Sequence, residues 1–196
     1  MLFRSDRLVA RDSTSNWPES VLALPDVGYI RALSPEGVLS VAPDLILSEP
    51  GAGPAEAVGV LNAAGVPFVT VPGDPTPEGV LAKIDGVAEA LGLPEAGARL
   101  HAEVAAGLET ARSRAAGVAQ PKKVLFVLAL QGGRVMAGGE GSSAEGIIAL
   151  AGGVNAATGF HGYKQMTDEA VIAAAPDVIL MMDRTGGPEV TAADVQ

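Results

Sequence analysis

The sequence predicts an α/β protein of two similar lobes joined by one long helix, with a ligand cleft between the lobes. Three observations carry that expectation. First, a module occurs twice: with Ser34 laid on Thr167, a shift of 133 residues, seven of the fourteen positions from 34 to 47 are identical. They include Glu36/Glu169, Val38/Val171 and the run Ala42-Pro43-Asp44 against Ala175-Pro176-Asp177. That separation is too long for a solenoid period of roughly 20 to 50 residues, so it marks two like lobes. Second, short apolar runs alternate with helical segments, as in β-α-β units. Third, the alanine-rich stretch Pro94 to Ala116 lies between the copies and reads as a stiff connector. The expected boundaries are residues 6–93 for the first lobe, 94–117 for the connecting helix and 118–196 for the second lobe.

Each copy reads as loop, short helix and buried strand. Ser34 and Thr167 are predicted N-caps, whose hydroxyls accept from free N–H groups of the first turn, and Pro35 suits the first helical position because its missing donor would be unpaired there anyway. Pro43 and Pro176 end the helices by forcing the preceding residue out of the helical region. Leu45-Ile46-Leu47 and Val178-Ile179-Leu180 then read as fully apolar strands of the parallel type. Just upstream, each copy offers an aromatic and a cation, Tyr29 with Arg31 and Tyr163 with Lys164.

Along the rest of the chain, Met1 to Ser5 has neither cap nor period. Leu2-Phe3-Arg4-Ser5 matches the translation of a common sequencing adapter, so this stretch is left out of the fold reasoning. Arg7 to Ala10 reads as a short strand, Arg11 to Asn16 as a polar turn, and Trp17 as a partly buried packing residue rather than part of a ligand cleft. Glu49 to Glu56 superficially suggests a dinucleotide loop. Glu56 in place of the third glycine, together with prolines that remove donors, argues against it. Ala55 to Ala64 and Thr76 to Leu91 read as helices, Gly65 to Val71 as a strand, and Val124 to Leu130 as the strongest strand. His101 has no partner at metal-ligand spacing and reads as a solvated or packing residue. Gln131 to Ala137 reads as a tight turn and returning strand. Gly138 to Ser143 is a glycine-rich loop before a helix from Ala144 to Ala151; its backbone donors could cradle an anion, but it lacks the Gly-Lys-Ser/Thr ending of a P-loop. A turn and short strand follow at Gly152 to Ala157. After Asp183 the chain runs through Thr185-Gly186-Gly187-Pro188 to Gln196, and the second lobe is expected to continue beyond it.

Composition removes several function classes. A formal charge of −10 with no basic run argues against a nucleic-acid partner. No apolar run reaches the roughly 18 residues of a membrane span. The absence of cysteine excludes disulfides, thiolate metal sites and cysteine catalysis. No nucleophile elbow, P-loop, zinc cluster or paired catalytic carboxylates are found, so an α/β enzyme is the weakest reading.

The repeated Ser/Thr-x-Glu-x-Val-Leu/Ile-x-x-Ala-Pro-Asp-Leu/Val-Ile-Leu module resembles the substrate-binding proteins of ABC importers for iron complexes, haem and vitamin B12. That resemblance implies two Rossmann-like lobes on a single long helix, a periplasmic location and no catalysis. Asp12-Ser13-Thr14-Ser15, the segment Leu24 to Leu39 and Gly159-Phe160-His161-Gly162-Tyr163-Lys164 resemble the haem-binding members more narrowly. In those members the tyrosine of the Gly-Tyr-x-Arg segment ligates haem iron, which implies Tyr29 here, and a phenolate is a suitable axial oxygen. Arg31 and Lys164 would pair with propionates, Arg preferentially in a two-pronged mode. His161 and Tyr163 are further candidates from the second lobe. The resemblance also implies that Glu36 and Glu169 meet arginines of the permease, one on each lobe. The resemblance also implies a first strand and helix, an end to the second lobe and a signal peptide that are not read within this sequence, so the chain is expected to be a fragment. The open alternatives are haem, and a siderophore or corrinoid on the same fold.

Overall fold

The computed structural model describes residues 5–131 and 134–181. The expectations placed on Met1 to Arg4, on the Gly132-Gly133 turn and on the segment from Met182 onward lie outside the described residues. The fold is mixed α/β. It divides into two compact units, one of residues up to Asp74 with Glu78–Ala105, the other of Pro75–Pro77 with the residues from Ala106 on.

In the first unit, α1 (Pro35–Leu39) is capped by Ser34, whose Oγ accepts from the Gly37 N–H at 3.3 Å. The parallel strands β1 (Ile46–Ser48) and β2 (Phe68–Thr70) pair Ile46 with Phe68 and Ser48 with Thr70, and α2 (Ala55–Ala63) connects them. Leu61 on α2 is fully buried, and Ala57, Val38 and Val71 are nearly so. Helix α3 (Pro77–Ala90) runs against α4 (Pro94–Ala115): a Cβ on Gly97 would stand 2.4 Å from the Ala88 methyl. His101 on α4 meets the Asp85 carboxylate on α3 at 2.9 Å and 3.0 Å, a surface bond between helices. Arg7 to Ala10 is not a strand. It follows a 3₁₀ turn at Ser5–Arg7, and only Arg11 makes a ladder contact, an isolated bridge to Asp26. Extended residues with no strand alongside lack the pairing that defines one. Trp17 is 84% exposed, so it does not pack either.

The second unit is built on β3 (Lys123–Gln131). Its sheet order is β5-β3-β4-β6, with β7 also paired to β3; here β4 is Arg134–Gly138, β5 Val154–Asn155, β6 Tyr163–Met166 and β7 Val178–Met181. β4 and β6 run antiparallel to their neighbours, β5 and β7 parallel to β3. The alternation of side chains along a strand separates two cores. Leu125 and Val127 join Val135, Ala137 and Met166 on one face; Phe126 joins Ala144 and Ile148 of α5 (Ser143–Leu150) on the other. Helix α6 (Asp168–Ala174) packs Val171 and Ala174 against the first of these.

The two apolar strands of the module are less buried than their composition predicts. Leu47 is 38% exposed, and Val178, Ile179 and Leu180 are each more than 40% exposed. Among the described residues β1 lies in a two-stranded sheet and β7 has β3 on one side only. The α5 side of β3 and β7 opens onto an apolar groove of about 410 Å³ lined by Val118, Val124, Ile147, Ile148, Val178 and Leu180.

Candidate functional site

Tyr29 stands at the entry to a 3₁₀ turn, Ile30–Ala32, and is 45% exposed. Its position is set by backbone bonds on both sides. Upstream, Gly28 has φ +97°, a region that residues with a Cβ rarely adopt. Its N–H donates to Asp26 Oδ1 at 2.8 Å, and its carbonyl accepts from the Ser13 N–H at 2.9 Å. Downstream, the Leu33 N–H donates to the Gly53 carbonyl at 2.8 Å and the Gly53 N–H to the Ile30 carbonyl at 2.9 Å. The loop once weighed as a nucleotide site thus buttresses the tyrosine turn. Arg31 is exposed and forms no ion pair with a described residue.

Behind this loop lies the polar turn expected at Arg11 to Asn16. Asp12 accepts from the Thr14 and Ser15 hydroxyls and from the Thr14 N–H at 3.1 Å. Partial burial pushes the Asp12 carboxyl up, but the bonds from Ser15 and Thr14 outweigh burial and hold it below its ordinary value of 3.8. A depressed folded value means stability that is present at neutral pH and lost as pH falls through that lower value. Asp12→Asn is therefore expected to lower the melting temperature at pH 7 and to flatten its decline below about pH 4, measured by circular dichroism across pH.

In the second unit, His161, Tyr163 and Lys164 lie around β6. Tyr163 is 41% exposed and packs edge-on against Phe126, with ring centroids 6.4 Å apart at 65°. It lies opposite Gly138 on β4, where a Cβ would come 3.1 Å from the Tyr163 ring and 2.6 Å from the Ala144 methyl. Gly138→Ala is expected to destabilise the protein by about 1–3 kcal/mol through overpacking, read as a lower denaturation midpoint, with the environment of Tyr163 changed in near-ultraviolet circular dichroism.

Lys164 pairs with Ala137, on the face that carries Met166 and the first core. Tyr163 and Lys164 thus point to opposite faces of the sheet. Their neighbourhood in sequence suggested a loop, whereas a strand alternates. His161 is exposed, and its Nε2 lies 3.5 Å from Glu140 Oε2. Glu140 also takes the Gly159 N–H on Oε1 at 3.0 Å, donates its own N–H to the Phe160 carbonyl and accepts from the Gly162 N–H.

The glycine-rich loop before α5 is not an anion cradle. The Gly139 N–H donates to Gly162, the Glu140 N–H to Phe160, the Gly141 N–H to Glu145 Oε2 at 2.7 Å and the Ser142 N–H back to Gly139. Each of those donors is used by the chain itself.

Glu36 and Glu169 occupy the same place in the two copies, exposed in the first turn of a capped helix. Thr167 Oγ1 accepts from the Ala170 N–H at 3.2 Å, as Ser34 does from Gly37. The Glu169 carboxyl is held below its ordinary range, first by its own backbone N–H and then by the Thr167 hydroxyl. Both glutamates are thus presented to solvent on short capped helices. Tyr29, Arg31 and Glu36 belong to the first unit, and His161, Tyr163, Lys164 and Glu169 to the second. Arg11, Asp26 and Glu140 were not anticipated. The Asp26-Val27-Gly28 spacing was the available signal, since aspartate two residues before a glycine commonly bonds the glycine N–H in a turn.

The model of the periplasmic binding protein family matches residues 1–195. The chain belongs to that family. Among solved structures, this family member is similar to a periplasmic heme-binding protein, BhuT, in complex with two hemes: the identity is 44%, the TM-score 0.84, and the match covers 89% of this chain and 66% of that one. Among curated proteins, it is 26% identical over 176 residues to the vitamin B12-binding protein of Vibrio campbellii, covering 89% of this chain and 62% of that protein. It is 25% identical over 181 residues to YvrC of Bacillus subtilis, an uncharacterized ABC transporter substrate-binding lipoprotein, covering 91% of this chain and 57% of that protein. The chain thus spans about six tenths of the length of these curated relatives. The relatives are binding proteins, not enzymes. Among the described residues no helix is long and apolar enough to cross a membrane.

Proposed function

We propose that this chain captures haem, as hemin, in the periplasm and delivers it to the permease of an ABC importer. The observation that carries the reading is Tyr29, a half-exposed phenol on a turn pinned from both sides, with the Arg31 guanidinium, which has no ion-pair partner among the described residues, two residues on. Ferric haem brings a hard cationic iron and two anionic propionates, and a phenolate oxygen beside an arginine answers both. The likeness to a heme-binding structure at 44% identity supports haem over other iron complexes. In this proposal Tyr29 is the axial ligand and Arg31 pairs with a propionate. His161, Tyr163 and Lys164 are the second unit's contributors, with Lys164 acting from the face opposite Tyr163. Glu36 and Glu169 serve permease docking.

A corrinoid is the second reading, because the curated relatives include vitamin B12-binding proteins. Parallel titration separates the two. Hemin is expected to give a saturable Soret shift and calorimetric binding, with cyanocobalamin giving neither; binding of cyanocobalamin alone would reverse the assignment.

A further inference from the structure

We propose that Asp26, neutralised by Arg11, is a positioning residue for Tyr29; this rests on the haem reading given above. The Tyr29 phenol forms no bond to a described residue, so the direction of its oxygen depends on the backbone that carries it. That backbone is anchored one residue earlier, where Asp26 Oδ1 holds the Gly28 N–H at 2.8 Å in a conformation with φ +97°. The other oxygen, Oδ2, faces Arg11 Nη1 at 3.3 Å. Three backbone bonds tie the same two strips together: Arg11 N–H to Pro25, Val27 N–H to Arg11 and Ser13 N–H to Gly28.

The charge on Arg11 needs its own account. The guanidinium side chain is only 12% exposed. Nη1 also donates to the Asp12 carbonyl at 3.0 Å, and Nε is buried with no partner among the described residues. A buried cation with an unpaired donor is a costly way to brace a turn; a neutral side chain at both positions would brace it more cheaply. Given the Asp26 carboxylate, however, the cation cancels its charge where an anion must come close. Asp26 bonds the residue next to Tyr29, and an unneutralised carboxylate there would repel both a phenolate and the propionates of an arriving haem. Arg11 cancels that charge while leaving the carboxylate free to hold Gly28. The pair therefore supplies geometry without adding negative potential at the ligand.

The test uses the full chain titrated with hemin, reading affinity and the phenolate-to-iron charge-transfer band, with far-ultraviolet circular dichroism as the check on folding. Outer-shell partners of a metal ligand typically contribute 10–100-fold to affinity. Asp26→Ala is expected to weaken hemin binding on the order of tenfold and to shift the band, because Gly28 is released. Arg11→Gln is expected to weaken it by about as much, because the carboxylate is left uncompensated. The double variant Arg11→Gln/Asp26→Asn keeps an acceptor for Gly28 and removes both charges, so it is expected to recover to within about threefold of the wild type, the signature of coupled rather than independent sites. Losses that simply add in the double variant, or single variants with wild-type affinity and band, would overturn the positioning role. If Asp26→Ala fails to fold, the comparison of Arg11→Gln with the double variant decides. A wild-type chain that binds hemin without any phenolate band would instead overturn the assignment of Tyr29, and this role with it.

Discussion

Tyr29→Phe should abolish the phenolate-to-iron charge-transfer band and weaken hemin binding by about a hundredfold, at the upper end of or beyond the 10–100-fold loss typical of an outer-shell partner. The ring stays, so its apolar contact with the porphyrin survives at about 25 cal/mol per Å² of buried surface; what is lost is the oxygen. Folding should be unaffected, because the turn is held by Asp26, Ser13 and Gly53 through backbone groups and not by the phenol. The measurement is a hemin titration with absorption and resonance Raman readout. An unchanged spectrum and affinity would move the ligand role to His161 or Tyr163.

Reversing both proposed docking charges, Glu36→Lys with Glu169→Lys, should eliminate haem uptake by the reconstituted importer while leaving hemin affinity within about twofold of wild type. Each glutamate is exposed on the first turn of a short capped helix, so the side chains can be exchanged without disturbing a core. Placing like charges opposite one another across an interface costs several kcal/mol, and a two-point contact loses both anchors together. The helices lose some stability as well, since a first-turn carboxylate interacts favourably with the helix dipole by roughly 0.3–1 kcal/mol, and a small drop in melting temperature should accompany the change. Hemin binding that falls in parallel with uptake would place these residues in the ligand site.

Much of the local architecture was legible because it is written in local chemistry. The hydroxyl caps at Ser34 and Thr167, the stop at Pro176, and the limits of α2, α3 and α4 came from residues acting on their own backbone, whereas α1 ends at Leu39, short of the stop expected at Pro43. What could not be read depended on partners distant in the chain. Arg7 to Ala10 has strand composition but no described strand alongside to pair with, and Trp17 has the bulk of a core residue but no described core to enter. Tyr163 and Lys164 are adjacent in sequence, in the stretch read as the loop that opens the second copy. Only the register of β6 on β4, which sets Tyr163 against Gly138 and Lys164 against Ala137, shows that they face opposite ways. The candidate site divides similarly: the Tyr29 segment carried its own signature, whereas Arg11 and Asp26 became visible only once residues some fifteen apart in sequence were brought to 3.3 Å.

The paired alanines before the prolines show how the duplicated unit has kept its shape. Ala42 and Ala175 both adopt the left-handed conformation, with φ 46° and 45°, at a cost of roughly 1–2 kcal/mol relative to the right-handed region. Glycine would avoid that penalty but would forfeit up to about 1 kcal/mol to the unfolded chain, so the net disadvantage of alanine is smaller than its conformational cost alone. The proline that follows disfavours the right-handed region for its predecessor, so each alanine leaves helical geometry, directly after Ala174 in the second copy and three residues after α1 ends at Leu39 in the first. The two copies thus agree at cap, glutamate and Ala-Pro-Asp, while one carries its tyrosine at the entry to a turn and the other on a strand.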